Sequence, residues 1–259
     1  LNHNKILEAI EAQHWDVEDT FVPEGIAFVD NEQLMMIRNH QSTSIYANKI
    51  VKFRHIKDIV KGIEEVYRFY EAQAFAWWIG PQEPPELLDY LLSNGWYCID
   101  QYEGLALSLE DWEPQRIRHQ VREVLTDKEI RELISVSAEV WDYDLPSRKA
   151  AFKERKMYIR LPERRGHYFI AYSIKGIPVA YGNDRLSADG SVLYLKGSAT
   201  LKNYRNQGYY SDLVRFRLNL AKQMGAQWAT VQARIGTSEP ILKTLGFKGY
   251  GLYRHLVRK

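Results

Sequence analysis

The chain has one cysteine, Cys98, in 259 residues, so no disulfide can form within it. No spacing of its seven histidines and that cysteine makes a zinc site, and no metal is expected. No apolar run is long enough to cross a bilayer, and nothing near the first residues has the order of a secretory signal. A cytoplasmic location with no membrane partner is the expectation. Charge of one sign is not in excess either. Thirty-five Lys and Arg against 33 Asp and Glu leave a net charge of +2, far short of the basic footprint of a nucleic-acid binder, so no nucleic-acid partner is expected. What remains is aromatic and apolar: 17 Tyr, 7 Trp and 45% hydrophobic residues, enough for one large core or two small ones.

The charged stretch "SLEDWEPQRIRHQ" with Pro114 follows an alternating apolar run and reads as a domain boundary, giving domains 1–113 and 114–259. In the first, "NKILEAIEAQ" and "IKDIVKGIEEVYRFYEAQ" carry helical apolar faces, and "GIAFVD" and "QLMMIR" form a hairpin. "AFAWWIG" is a short strand. "PPELLDYLLSNG" opens on proline and closes on glycine as helices do. "WYCID" and "GLALSL" read as a final strand pair. In the second, Thr126 and Glu129 form a capping box for the helix "TDKEIRELISVSAEVW". "HYFIAYSIKGIPVAYGNDRL" is a hairpin turning at Lys175 and Gly176. Strands interleaved with helices predict an α/β fold (α+β, mixed sheet) in each half. "AFAWWIGPQEPPELLDYLLSNGWY" and "QWATVQARIGTSEPILKTLGFKGY" share one order of strand, glycine, Glu-Pro, helix and Gly-aromatic, which suggests a duplication.

The most informative stretch is "YRNQGYYSDL", between the alternating "SVLYLKGSATL" and the helical run "SDLVRFRLNLAKQMG". Gly208 follows a strand and opens a helix. Without a Cβ it lets backbone approach a ligand. The first turn of a helix offers N–H groups and the positive end of a dipole to an anion. Residues 206–211 are therefore expected to present amides to a pyrophosphate, with Lys202 and Arg205 adding charge. One glycine matches neither the Walker nor the dinucleotide pattern, and a tight strand-to-helix connection stands as the alternative.

Four pieces occur in order, the core of that turn among them: "SAT" at 198–200, "RNQGYY" at 205–210, "TVQA" at 230–233 and "LGF" at 245–247. Together, from about Ile117 on, they resemble the acetyl-CoA-binding half of the GCN5-related N-acetyltransferase (GNAT) family. The resemblance implies two GNAT-like domains, each a central mixed sheet flanked by helices. It implies that the backbone of Ser198, Ala199 and Thr200 pairs with the pantetheine arm of acetyl-CoA. Arg205, Asn206, Gln207, Gly208, Tyr209, Tyr210 and Ser211 hold the pyrophosphate in that reading, and a splay between the strands at 192–200 and 228–233 admits the thioester. Two departures stand out. Tyr210 replaces the family's last small residue, and Leu242 stands where many members place the tyrosine that protonates the departing thiolate.

Acetyl transfer to an amine needs an oxyanion donor, a proton acceptor for the ammonium and a proton for the thiolate. The resemblance places the oxyanion donor at the backbone N–H of Ala199. Asp184, at the end of "VAYGND", and Tyr194 are the side chains put forward for catalysis. Asp142 and Asp144 in "VWDYD" are further carboxylates, and Tyr181, Tyr250 and Tyr253 further lining groups or proton donors. Each has a plainer alternative: Asp184 in a turn, "WDYD" as a helix end with Trp141 in the core, His167 and His255 as surface or core histidines. Arg215, Arg217 and Lys222 read as the solvated face of their helix.

The first half has no comparable glycine pattern in "FRHIKDIVKG" and is expected not to hold CoA. The leading function is an N-acetyltransferase moving acetyl from acetyl-CoA to a primary amine of a small molecule or peptide, acting as monomer or homodimer. A non-catalytic CoA-binding sensor or scaffold is the alternative, and transfer of a longer acyl or aminoacyl group a third.

Overall fold

The structure, a computed structural model, describes residues 2–18, 21, 25–42, 44–54 and 58–258. It divides into two compact units that do not follow chain order. One holds Leu1–His14, Val22–Leu105 and Gln232–Lys259, the other Trp15–Phe21 and Ala106–Val231. Two consecutive domains meeting at 113/114 were expected. Instead the last 28 residues fold with the first half, and a short N-terminal segment folds with the second.

The first unit contains α1 (His3–Ala12), β1 (Ile26–Asp30), β2 (Leu34–Asn39), β3 (Lys49–Phe53), α2 (Ile59–Tyr70), β4 (Ala76–Ile79), α3 (Pro85–Ser93) and β5 (Trp96–Ser108, to Leu105 in this unit). From the chain's end it takes α7 (Ser238–Thr244) and β11 (Lys248–Arg258). Its strands lie in the order β1-β2-β3-β4-β11-β5. β1 to β3 are antiparallel neighbours, β3 and β4 run parallel, and β11 is antiparallel to β4. Asp58 caps α2 by accepting from the Lys61 N–H at 3.1 Å. Its apolar face puts Ile63, Val66 and Tyr70 into a core with Phe53, Trp77, Leu87 and Leu91. Proline at the first turn of α3 and left-handed Gly95 just beyond it set that helix's limits as the sequence indicated.

"WYCID" and "GLALSL" are one continuous strand, β5, rather than a pair. Gly104, within it, is there for space: a Cβ would lie 2.5 Å from the Tyr253 ring. Residues 248–258 form the single strand β11, with Gly251 at φ +155° packed against Pro81.

The second unit contains β6 (Gln120–Glu123), α4 (Asp127–Trp141), α5 (Leu145–Tyr158), β7 (Gly166–Tyr172), β8 (Pro178–Leu186), β9 (Val192–Thr200), a 3-10 turn (Lys202–Tyr204), α6 (Tyr209–Gln223) and β10 (Trp228–Arg234, to Val231 in this unit). The strand order is β10-β9-β8-β7-β6. Thr126 and Glu129 close the expected capping box on α4, and Gly176 turns the β7–β8 hairpin at φ +73°. Asp16 and Glu18 explain why the 15–21 segment belongs here. Asp16 accepts from Arg165 at 2.8 Å, the Tyr194 hydroxyl at 2.9 Å and the Ala188 N–H at 3.1 Å. Glu18 takes the Tyr158 hydroxyl and the Arg165 N–H.

The suspected duplication is visible in connectivity. β3-α2-β4-α3-β5 and β9-α6-β10-α7-β11 follow the same order, each built on a parallel strand pair with its helix between.

Candidate functional site

β9 and β10 pair in parallel at only three positions, Val192 with Trp228, Leu193 with Ala229 and Tyr194 with Thr230. β9 continues six residues beyond, bonded to β8 alone among the described strands. A bulge sits just past the point of separation. Between the pairs Asp184–Leu195 and Gly182–Ser198, β8 has one residue and β9 has two, Lys196 and Gly197. A bulge bends its strand and increases its twist, so β9 leaves β10 here for a local reason.

Hydrogen-bonded and non-bonded pairs alternate along an antiparallel ladder. The Leu201 N–H donates to Val179 O at 2.9 Å, which makes the Ala199–Tyr181 pair, two residues back, a bonded one. The Ala199 N–H is therefore turned to β8. Ser198 and Thr200 direct their backbone groups the other way, to the side that β10 has left. Thr200 O accepts from Arg205 Nε at 3.2 Å on that side. The backbone groups of 198 and 200 thus face away from β8, whereas the N–H of Ala199, the expected oxyanion donor, is taken up in the ladder with β8.

Eight residues on, Gly208 caps α6 at φ +90° and ψ −2° with no side-chain hydrogen bond. Asn206, at φ +60°, is a second left-handed residue, and asparagine tolerates that conformation better than most. The first bond of the helix runs from the Asp212 N–H to Gly208 O, so the N–H groups of residues 209–211 lie outside the helical ladder. Residues 205–208, Arg205 among them, are exposed, and exposed Lys202 lies just before them.

One residue of the stretch "YRNQGYYSDL" does more than the sequence suggested. Asp212 is 1% exposed in the first turn of α6. Its Oδ2 accepts the N–H of Arg118 at 2.9 Å, the N–H of His119 at 3.0 Å and His119 Nδ1 at 2.8 Å, and its Oδ1 accepts from Arg215 at 3.0 Å. Burial alone would raise its carboxyl. The donated backbone bonds from His119 and Arg118, with the His119 and Arg215 side chains, outweigh that and hold it below the ordinary range. This ties the segment before β6 to the start of α6, where the His119 ring lies 3.9 Å from the Tyr209 ring, centroid to centroid, and 3.6 Å from where a Cβ on Gly208 would sit.

Other sequence candidates have different surroundings. Asp184 is buried, bonded to His167 Nδ1 at 3.2 Å and in the field of Arg217. Arg217 is not solvated: it is 1% exposed and donates to Leu213 O and Asn183 O at 3.0 Å each. Lys222 binds the carbonyls of Leu109 and Glu110, and Arg215 pairs with Asp212, so this face of α6 is largely engaged. The Tyr194 hydroxyl is committed to Asp16, and burial followed by that carboxylate pushes it well up. Asp142 ends α4 in a left-handed conformation, and Asp144 caps α5 through the Ser147 N–H at 2.8 Å. Trp141, expected in the core, is half exposed and donates its indole N–H to the Tyr181 hydroxyl at 2.7 Å. Burial raises that phenol to about 12. Tyr250, Tyr253, His255 and Leu242 belong to the other unit, and Leu242 is fully buried. Among the described residues no group of three or more His, Cys, Asp or Glu could hold a metal ion, and no helix is long and apolar enough to cross a membrane.

No protein-family model and no curated protein matches the sequence. Solved structures do match. A GCN5-related N-acetyltransferase from Kribbella flavida aligns over 90% of this chain and 90% of its own, at 18% identity and TM-score 0.66. The chain has the GNAT fold. It has it in tandem form: a tandem GNAT protein from the clavulanic acid biosynthesis pathway aligns over 98% of this chain and 94% of its own, at 10% identity and TM-score 0.62. A GCN5-related N-acetyltransferase from Sphaerobacter thermophilus covers 98% and 90% at 11% identity and TM-score 0.62. At such identities the likeness is one of fold, and the chemistry rests on the residues above.

Proposed function

We propose that the chain is an acyltransferase that uses acetyl-CoA to acetylate a primary amine. The observation that carries this reading is one juxtaposition: a strand that leaves its parallel neighbour after Tyr194–Thr230, and, eight residues past its end, a helix that opens at left-handed Gly208 with no side-chain cap. A tight turn alone needs neither. An extended pantetheine arm fits the first and a pyrophosphate the second. Acetyl-CoA, when bound, supplies the activated thioester.

The chain's own residues divide the remaining work. The N–H groups of residues 209–211, with Lys202 and Arg205, hold the phosphates. Ser198 and Thr200 orient the arm and offer their N–H groups to the carbonyl oxygen, where a preorganised donor contributes most. The Tyr181 hydroxyl, cross-strand neighbour of Ala199, accepts from Trp141 and so keeps its own proton for another acceptor. It takes the place of the missing tyrosine at 242 as proton donor to the departing thiolate, and the amine, attacking in its neutral form, gives up its proton to the resulting phenolate as the amide forms. Trp141, half exposed beside it, forms an aromatic wall toward the acceptor.

A second reading, a CoA-binding protein without turnover, draws on the burial of Leu242 and the commitment of Asp184 to His167. Release of free thiol from acetyl-CoA, followed with a panel of primary amines, tests the transferase. Amine-dependent release that falls at least about tenfold in Tyr181→Phe supports it. Binding of acetyl-CoA with no release for any amine favours the second reading.

A further inference from the structure

A second cluster lies wholly within the first unit. In the β3–β4–β11 ladder Lys49 stands opposite Ala76, and Trp78 opposite His255. Residues two apart on a strand share a face, so Lys49, Trp78 and His255 lie on one face, while Trp77 turns to the core on the other. His255 is 0% exposed, yet neither ring nitrogen has a hydrogen-bond partner. The Trp78 indole N–H is also buried and unpartnered. The two rings stack at 4.4 Å and 17°, and the half-exposed Tyr46 ring lies 5.3 Å from His255.

Lys49 is partly buried. Its Nζ meets His14 Nδ1 at 3.2 Å, and His14 Nε2 meets Gln232 Oε1 at 3.0 Å. No carboxylate among the described residues pairs with Lys49. Asp100, the acid that acts on His255, is taken by Arg234 at 2.8 Å and the Tyr102 hydroxyl at 3.1 Å. Desolvation pulls the Lys49 ammonium down to about 8. Buried polar groups are nearly always bonded, and a buried cation without a counter-ion is costly. Three donors on one sheet face, an ammonium and two ring N–H groups beside stacked aromatic rings, are complementary to a flat anion.

We propose that this face of the first unit is a binding site for a small planar monocarboxylate, its carboxylate on Lys49, His255 and Trp78 and its ring against Tyr46. The proposal is independent of acetyl-CoA use by the second unit.

The test uses the full-length chain labelled with nitrogen-15 and titrated with benzoate, with benzyl alcohol as the uncharged control. The Trp78 indole N–H resonance, assigned by its loss in Trp78→Phe, is the readout. Benzoate is expected to shift it saturably and benzyl alcohol to leave it in place. Lys49→Met is expected to weaken the benzoate affinity at least about tenfold, the scale of a charge-assisted hydrogen bond. Should Lys49→Met lose a dispersed spectrum, Lys49→Gln carries the same comparison. No shift with benzoate up to ~10 mM, an equal shift with benzyl alcohol, or unchanged affinity in the lysine variants would overturn the proposal.

Discussion

Replacing Asp212 with alanine removes the acceptor that fastens the segment before β6 to the first turn of α6. The carboxylate takes four donors, two of them the backbone N–H groups of Arg118 and His119. Alanine leaves those two amides without their partner in a partly buried place. Each stranded donor costs about 1–3 kcal/mol, and some water reaches this edge, so the total is about 3 kcal/mol. For a chain of this size that corresponds to a melting temperature lower by roughly 6–12 °C. Asp212→Asn keeps one oxygen acceptor and is expected to lose about half as much. Urea denaturation followed by tryptophan fluorescence gives the free energies. The pH dependence has a definite sign. The folded carboxyl titrates below its unfolded value, so the contribution is full above the ordinary value of 3.8 and is lost as pH falls through the lower folded value. A loss under about 1 kcal/mol in Asp212→Ala would refute the reasoning, because it would mean that these bonds are replaced by water at no cost.

Two further outcomes follow from buried groups. Leu242→Tyr, which introduces the tyrosine that the resemblance to GNAT proteins places there, is expected to destabilise by about 1–3 kcal/mol and not to raise turnover, since Leu242 is 0% exposed in a filled core; denaturation midpoints and thiol release together check it. Burial holds His255 at about 4 against an ordinary 6.5, so the unfolded chain binds the extra proton and stability falls as pH drops from 6.5 to 4, by up to about 3 kcal/mol. Glu83, pushed up to about 8 by burial and then by Glu11, contributes with the opposite sign, so the His255 share is read as the difference between wild type and His255→Phe across that window. Parallel curves for the two proteins would contradict it.

The helices and most strands were legible because they rest on local chemistry. The Thr126–Glu129 box, Pro85 with Gly95, and the Lys175-Gly176 turn each specify a boundary through groups a few residues apart. The exchange of chain segments between the units was not legible. It depends on which edge β11 pairs with, and on Asp16 and Glu18 meeting Arg165 and Tyr158 about 150 residues away. The space that Gly104 and Gly251 leave was hidden for the same reason: it serves Tyr253 and Pro81, neighbours only in space. In the site, the uncapped helix start could be read from Gly208. The direction of each β9 amide could not, because it is set by the Leu201–Val179 bond and shifted in register by the bulge at Lys196 and Gly197. Asp212 lay within the stretch that drew notice. Its role as an anchor needed the position of His119, 93 residues earlier in the chain.

The central claim is that the turn into α6 holds the pyrophosphate of acetyl-CoA. Thermal unfolding of the wild type and Gly208→Asp, each titrated with acetyl-CoA, tests it most directly. A ligand at 100 times its dissociation constant adds about 2.7 kcal/mol, roughly 5–10 °C for this chain. The account predicts that rise in the wild type and its loss in the variant, which sets a carboxylate where the phosphates belong at a backbone φ of +90°. No rise in the wild type, or an equal rise in both proteins, would contradict it.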